Sequence, residues 1–309
     1  MNVILLGRTN WLLSSAKFLD ANGHNIVGII TSKESLDSKV KAKDLENYAK
    51  QIGANFLYTP KINPQQIHKH FDVSNISVGI SVNYTGIISK EVIDLFPYGV
   101  LNAHGGDLPR YRGNACQAWA IINGENNIGL CIHKMIGGEL DSGKIISRSY
   151  FPLNENTKIG DVYSFFDSEI PVLFNKALNR LTEDKLFYLE EQSQNPDDIL
   201  RCYPRKPEDG RINWEDDSLK ILRLINASSE PYEGAYCQFN NQKLLIWRAK
   251  LEEDNEKWMG VAGQVVEIRL SGEIVVLTGK GKLVIDEIEF DGFRGKPNKL
   301  INSLRKRLN

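Results

Sequence analysis

Val3-Ile4-Leu5-Leu6-Gly7 is an apolar run of strand length that a glycine ends. A helical pattern follows and ends at Asn22-Gly23, and Ile26-Val27-Gly28-Ile29-Ile30 is a second apolar run of the same kind. Buried parallel strands have this composition because helices cover both faces of their sheet. The alternation continues with strand patterns at residues 55–58, 76–82 and 98–101. We therefore expect an α/β fold with a Rossmann-like, mostly parallel sheet and helices on both faces.

The composition changes at residues 190–210, where loop-forming residues dominate. Beyond this region a helical pattern precedes several closely spaced strand patterns, at residues 243–249, 263–268, 273–278 and 282–290. Short strands with this spacing are typical of a small β-barrel. We predict an N-terminal domain over residues 1–190, a linker over 191–205 and a C-terminal OB-like β-barrel domain over 206–309.

Bulk properties narrow the class of protein further. The 38 basic and 39 acidic residues of the 309-residue chain nearly cancel, which argues against nucleic acid as the main partner. No apolar run is long enough to cross a membrane, and the first residues lack the charged start of a signal peptide. The four cysteines form no CxxC pair, so neither a disulfide framework nor a zinc site is expected. We expect a cytoplasmic enzyme without a membrane partner.

A polar motif, Asn102-Ala103-His104-Gly105-Gly106, follows the strand pattern at residues 98–101. Ligands of open parallel sheets bind outside the carboxyl ends of the strands, so this position favours a binding site. Asn102 and His104 are two apart on an extended segment, which lets both side chains point to one side. An asparagine amide can donate to a developing oxyanion, and a histidine can accept a proton near neutral pH. The pair suits acyl transfer to an amine.

A carboxylate that could orient this histidine lies in the sequence Gly137-Gly138-Glu139-Leu140-Asp141-Ser142-Gly143. Two interpretations stay open on the residues alone. An Asn-x-His at a strand end also serves as a structural hydrogen-bonding pair, and an aspartate between glycines also serves as a turn residue. Spacing does not bring Asp141 to His104. His133, on a strand pattern with Cys131 and Met135, is expected to pack in the core.

The combination of motifs resembles the formyltransferase family that includes methionyl-tRNA formyltransferase, glycinamide ribonucleotide formyltransferase and the sugar-nucleotide N-formyltransferases. Its members carry Asn-x-His, then a Leu-Pro-x-[Tyr/Trp]-Arg-Gly element, and later an aspartate in a glycine-rich loop. Asn102, His104 and Asp141 occupy the matching positions here, with Leu108-Pro109-Arg110-Tyr111-Arg112-Gly113 between them. The resemblance continues at Asp209-Gly210-Arg211-Ile212-Asn213-Trp214, so it covers nearly the whole chain.

This resemblance implies a catalytic N-terminal domain whose donor is 10-formyltetrahydrofolate, with no metal. It makes His104 the base or polarising donor, Asn102 the oxyanion donor and Asp141 the group that tunes His104. It places the pterin ring between the backbone of residues 84–88 and the loop that carries Asp141. The residues implied to contact it are Tyr84, Gly86, Ile87 and Ile88 on one side and Gly138 and Leu140 on the other. Relatives often pair, so the resemblance also leaves a homodimer open.

Two acceptor amines compete. The tRNA enzymes resemble each other in a basic Arg-Gly-rich insertion after the second strand, whereas residues 31–39 here carry two positive and two negative charges. A tRNA needs many phosphate contacts, so we expect a nucleotide-linked amino sugar. Arg110 and Arg112 could meet its diphosphate, Asp107 its amino group, and Tyr111 lies between them. The alternative role of the arginines is packing or ion pairing within the loop. The alternative acceptor is methionyl-tRNA, and the alternative to an enzyme is a non-catalytic folate- or nucleotide-binding module.

Overall fold

The computed structural model describes residues 1–34, 39–184, 190–253 and 256–309. Four residues of the short segment after the second strand, 35–38, therefore lie outside the described residues. The chain divides into two compact units, the first made of Met1–Cys116, Ile128–Phe151 and Tyr163–Cys202. The second comprises Gln117–Asn127, Pro152–Val162 and Tyr203–Asn309. The boundary between the last segments of the two units, Cys202 and Tyr203, falls inside the linker predicted at residues 191–205.

Strand and helix alternate through the first 183 residues. The strands are β1 (Asn2–Gly7), β2 (Asn25–Thr31), β3 (Asn55–Tyr58), β4 (Val78–Val82), β5 (Val100–His104), β6 (Arg112–Gly113), β7 (Asn127–Lys134) and β8 (Ile145–Pro152). The helices are α1 (Thr9–Ala21), α2 (Ala42–Gln51), α3 (Pro64–His70), α4 (Lys90–Ile93), α5 (Cys116–Asn123) and α6 (Ile159–Glu183). The short strand β9 (Arg201–Cys202) pairs with β6 in parallel.

The main sheet has the order β3-β2-β1-β4-β5-β7-β8. The pairs from β3 to β5 are parallel, and β7 runs antiparallel to β5. Ile4 and Leu6 pack with Ile67 of α3 and Val92 of α4, and α1 contacts β1, β2 and β4. The predicted mostly parallel sheet is therefore confirmed. The antiparallel strand β7 matters for function because it pairs Asn102 with His133 and His104 with Cys131.

The second unit holds α7 (Ser218–Ala227) and the strands β10 (Ala235–Phe239), β11 (Gln242–Leu251), β12 (Val265–Ile268), β13 (Ile274–Leu277), β14 (Lys282–Phe290) and β15 (Phe293–Gly295). The sheet order is β10-β11-β14-β13-β12, with antiparallel neighbours. Helix α7 packs on β11 and β14, and Ile225 and Trp214 lie in the core. This is the antiparallel C-terminal domain that the strand spacing predicts.

The last residues of the chain join the two edges of this sheet. Asn309 and Gln238 of β10 exchange two backbone hydrogen bonds of 2.6 and 2.9 Å. At the other edge, the Leu308 amide donates to the Gly263 carbonyl at 2.8 Å, and Gln264 forms a bridge with Arg307. Backbone groups of both edge strands thus find partners in residues 306–309, which closes the sheet into a barrel. In the described parts of the chain, no helix is long and apolar enough to span a bilayer.

Leu308→Ala tests this closure. Leu308 is 1% exposed in the core of the second unit, so the truncation leaves a cavity between the two edges. We expect the free energy of unfolding of this unit to fall by about 2–4 kcal/mol, measured by urea denaturation. Leu304→Ala is the matched control because Leu304 is half exposed. Equal losses in the two variants would contradict the closure.

Candidate active site

The site is built on the carboxyl end of β5. The sequence pattern predicts that this strand ends at residue 101. Strand β5 instead runs to His104, so Asn102 and His104 lie within it. The strand is longer because both residues pair with β7. Their separation of two residues in extended backbone places both side chains on one side of the sheet. His104 is buried and Asn102 is half-buried.

Asp141 joins these two residues from the loop between β7 and β8. Its Oδ2 lies 3.5 Å from Nδ1 of His104, and its Oδ1 lies 3.5 Å from Nε2 of His133. The Gly113 amide donates to the same Oδ2 at 2.9 Å. Asp141 has a φ of +51°, a left-handed conformation that aspartate tolerates better than most residues. The structure therefore brings together Asn102, His104 and Asp141, which are up to 39 positions apart in the numbering.

His133 is a member of this cluster that the sequence pattern missed. Its Nε2 lies 3.2 Å from Nδ2 of Asn102, and its side chain is 2% exposed. Packing in the core is part of its role, but it also faces the Asp141 carboxylate. The strand pattern predicts packing for His133 but does not show its contact with this site, because Asn102 and His133 are opposite each other only in the β5–β7 register. A correct antiparallel pairing of these strands would have revealed it.

Backbone carbonyls fix the protons on both imidazoles. Nε2 of His104 lies 2.6 Å from the Tyr111 carbonyl oxygen, and Nδ1 of His133 lies 3.2 Å from the Lys134 carbonyl oxygen. A carbonyl only accepts, so each of these nitrogens carries a proton. In a neutral His104 ring, Nδ1 then presents its lone pair toward the Asp141 carboxylate. Nδ1 of His104 is therefore the ring nitrogen that can take up a further proton.

The pKa shifts agree with this arrangement. Burial lowers the pKa of His104, and the Asp141 carboxylate opposes that shift, while His133 and Arg112 add to it. Burial acts to raise the pKa of Asp141, but His104, His133 and the Gly113 amide outweigh burial and hold it at about 2. At neutral pH the site therefore contains an ionised carboxylate beside a neutral imidazole, and a proton taken up by His104 is stabilised by Asp141.

Comparison with known proteins identifies the family. Residues 1–176 match the formyl transferase family model, and residues 205–303 match the formyl transferase C-terminal domain. The chain belongs to the formyl transferase family. This formyltransferase is 26% identical over 299 residues to methionyl-tRNA formyltransferase from Ruminiclostridium cellulolyticum. The alignment covers 94% of this chain and 92% of the relative.

Two solved structures share the fold of this formyltransferase. The N-formyltransferase from Helicobacter canadensis, in complex with folinic acid and dTDP-3-aminofucose, aligns with a TM-score of 0.68 at 19% identity. That alignment covers 92% of this chain and 98% of that chain. HypX from Aquifex aeolicus, in complex with tetrahydrofolic acid, aligns with a TM-score of 0.59 at 18% identity over 97% of this chain. This chain spans 46% of the length of HypX.

The predicted donor-binding residues lie on two loops of the formyltransferase that touch each other. Gly137 lies against Lys90, since a Cβ there would be 2.5 Å from the Lys90 backbone. Ile87 of the first loop is 85% exposed and Leu140 of the second is 47% exposed. The Tyr84 hydroxyl donates to the Thr59 carbonyl at 3.0 Å. Two exposed apolar side chains on adjoining loops are suited to a flat aromatic ligand.

The remaining predicted donor contacts have mixed environments. Ile88 is 3% exposed and belongs to the core beside Ile4 and Leu6. Gly86 packs against the Pro60 carbonyl, and Gly138 is exposed with a φ of +84°. Burial raises the pKa of Tyr84 to about 12, so its phenol stays protonated. The backbone of this loop, more than the Ile88 side chain, is what a ligand could reach.

The predicted acceptor residues separate into exposed and buried groups. Arg110 is exposed, with its guanidinium 5.5 Å from the Tyr111 ring centre. Asp107 pairs with Arg148 at 2.7 Å and accepts from the Tyr150 hydroxyl at 3.0 Å. Tyr111 is buried and supplies its carbonyl to His104. Of the two arginines predicted to meet a diphosphate, only Arg110 is therefore at the surface.

Arg112 has a different environment from the one predicted. It is 4% exposed, and its Nε and Nη2 donate to Oε1 of Gln192 at 3.2 and 2.7 Å. These contacts orient Arg112 within the protein, which corresponds to the packing alternative. Its role toward a substrate stays a prediction. Within the described ranges, no group of histidine, cysteine and acidic side chains is arranged to hold a metal ion.

The lowered pKa of His104 predicts the pH dependence of turnover. The neutral ring is the form that accepts a proton, and it dominates at every pH above the lowered pKa. The acid limb of kcat should therefore lie below the ordinary histidine pKa of about 6.5. Asp141→Asn removes the carboxylate that raises the pKa of His104, so the limb should move to still lower pH while kcat falls. Rates measured between about pH 4.5 and 8 check this. A limb that moves to higher pH would contradict the assignment.

Proposed function

We propose that this formyltransferase transfers the formyl group of 10-formyltetrahydrofolate to the amino group of a nucleotide-linked amino sugar. The observation that carries the proposal is the cluster of Asn102, His104 and Asp141 at the carboxyl end of a parallel strand. A polarised amide, a neutral imidazole and an ionised carboxylate are what direct amine attack on a formyl carbon needs. The adjoining apolar loops with Ile87 and Leu140 support a folate as the donor.

Each residue of the cluster has one task in this reaction. Asn102 donates an amide hydrogen to the formyl oxygen as that oxygen gains negative charge during attack by the amine. An amide carries two N–H bonds, so contact with His133 does not exhaust its donors. His104 accepts the proton of the attacking amine, and Asp141 stabilises the imidazolium. The same proton then goes to the tetrahydrofolate nitrogen as its bond to the formyl carbon breaks, which restores neutral His104.

The sugar-nucleotide acceptor has two supports. The sequence of residues 31–39 has no net charge, whereas the tRNA enzymes resemble each other in a basic insertion at this place in the chain. The Helicobacter canadensis enzyme, whose complex contains dTDP-3-aminofucose, matches this chain along nearly all of its own length. Exposed Arg110, next to the catalytic strand end, is the residue we assign to the diphosphate.

Methionyl-tRNA is the second candidate acceptor, and a specific observation favours it. The methionyl-tRNA formyltransferase of Ruminiclostridium cellulolyticum matches 94% of this chain over 92% of its own length. The two acceptors differ in charge, so they also differ in salt dependence. Turnover of a tRNA should fall steeply as salt rises, whereas turnover of a diphosphate sugar should change little.

The decisive assay offers 10-formyltetrahydrofolate with either a panel of dTDP- and UDP-linked amino sugars or initiator methionyl-tRNA. We expect tetrahydrofolate release and a formylated sugar only when a sugar nucleotide is present. His104→Ala and Asp141→Ala should lower kcat by about 10²–10⁴. His68→Ala is the matched control because His68 is exposed on α3. Turnover of the tRNA alone would reverse the acceptor, and release without any acceptor would indicate a hydrolase.

Arg110→Ala tests the diphosphate contact separately. We expect KM for the sugar nucleotide to rise about tenfold with kcat within about threefold, since the charge binds substrate and transition state equally. Arg305→Ala is a control at an exposed arginine in the other unit. An unchanged KM in Arg110→Ala would remove the residue from the acceptor site.

A further inference from the structure

Gln192 lies beside the loop that carries Asp141. The segment that contains it runs next to the start of β8, because Glu190 and Ile145 exchange two backbone hydrogen bonds of 2.9 Å each. Ile145 follows the Asp141 loop by only two residues. The Gln192 side chain is 5% exposed, although the sequence around it has the composition of a linker.

All the hydrogen-bonding capacity of the Gln192 amide is used. Nε2 donates to the carbonyl oxygens of Asp141 at 2.8 Å and Gly143 at 2.7 Å. Oε1 accepts from two nitrogens of Arg112. Carbonyls only accept and a guanidinium only donates, so the amide can adopt this orientation and not the flipped one. The side chain therefore ties both sides of the Asp141 loop to the buried Arg112.

The loop needs such a tie. Asp141 holds a left-handed φ of +51°, a backbone conformation that residues with a Cβ adopt only where the surroundings hold them in it. Gly143 approaches β7 so closely that a Cβ there would lie 1.7 Å from the Lys134 carbonyl oxygen. The carboxylate itself receives one backbone N–H, from Gly113. A small release of the loop would therefore move the carboxylate away from His104.

We propose that Gln192 is a positioning residue for formyl transfer, which sets the distance between the Asp141 carboxylate and the His104 imidazole and is itself held by Arg112. The catalytic part of this inference rests on the proposed function, but the effect on His104 does not. His104 is faced by Asp141 from the loop, His133 from β7, Arg112 from β6 and Cys116 from α5. Asp141 is the one anion in this set at neutral pH, so its position controls how readily His104 takes a proton.

The test compares Gln192→Ala and Gln192→Met with Gln51→Ala. Methionine keeps the length of the side chain without adding a charge, but it loses both donors to the loop and the acceptor for Arg112. Gln51 is an exposed glutamine at the end of α2 and is the control. Titration of the five histidines by NMR, with His104→Ala for assignment, gives the pKa of His104 in each variant. Both Gln192 variants should lower that pKa and reduce kcat more than about tenfold, with KM of the acceptor within about threefold and both quantities unchanged in Gln51→Ala.

The outcomes separate this inference from the proposed function. Loss of thermal stability in the Gln192 variants, with the His104 pKa and kcat unchanged, would overturn the positioning role. If the unmodified protein formylates neither sugar nucleotides nor methionyl-tRNA, the proposed function fails, and the NMR titration still decides whether Gln192 sets the environment of His104. An unchanged pKa in Gln192→Met, whose fold is verified by its thermal unfolding, would also contradict the inference.

Discussion

The Asp141 carboxylate between the His104 and His133 imidazoles is the interaction on which the site depends. One oxygen faces His104 and the other faces His133, each at 3.5 Å. The backbone carbonyls of Tyr111 and Lys134 hold the imidazole protons on the opposite nitrogens. Nδ1 of neutral His104 can then accept the proton that a substrate amine gives up, and the Asp141 carboxylate stabilises the resulting imidazolium. The same low exposure that suppresses the pKa of His104 strengthens its attraction to the carboxylate.

The fold assembles this cluster from several elements. Parallel strands deliver Asn102 and His104 to the edge where ligands bind in open α/β sheets. The antiparallel strand β7 then places His133 opposite Asn102, and the turn after it returns Asp141 to the same edge. Arg112 and Gly113 hold the loop from the other side, one through Gln192 and one through its own amide. The hydrogen bonds that hold the loop in place are therefore also the ones that position the Asp141 carboxylate.

Much of the fold and the central residues could be predicted from the sequence. Apolar runs such as residues 3–6 and 26–30 predict buried parallel strands, because helices cover both faces of a parallel sheet and its strands are apolar on both sides. The motif at Asn102 and His104 predicts a site because period two puts both on one side. Asp141 was found through the family resemblance, since no physical rule links its position to His104 across the intervening strand.

The residues that were missed depend on long-range pairing. His133 reaches the site only because β7 pairs with β5 in one register, and a shift of one residue would turn it to the other face. Gln192 lies in a polar stretch that resembles a linker, so its burial is not visible in local composition. Arg112 is an arginine in a loop motif, and the sequence does not tell whether its guanidinium meets a substrate or a glutamine. The closing of the barrel by residues 306–309 is likewise set by distant edges.

The protonation of the two imidazoles tests the account most directly. Nitrogen NMR of the histidine-labelled protein at pH 7, with His104→Ala and His133→Ala for assignment, reports which ring nitrogen carries a proton. The account predicts a neutral His104 ring with its proton on Nε2, and a proton on Nδ1 of His133. An imidazolium at His104, or a proton on its Nδ1 in the neutral ring, would mean that the place for the amine proton is already filled, and this would contradict the mechanism.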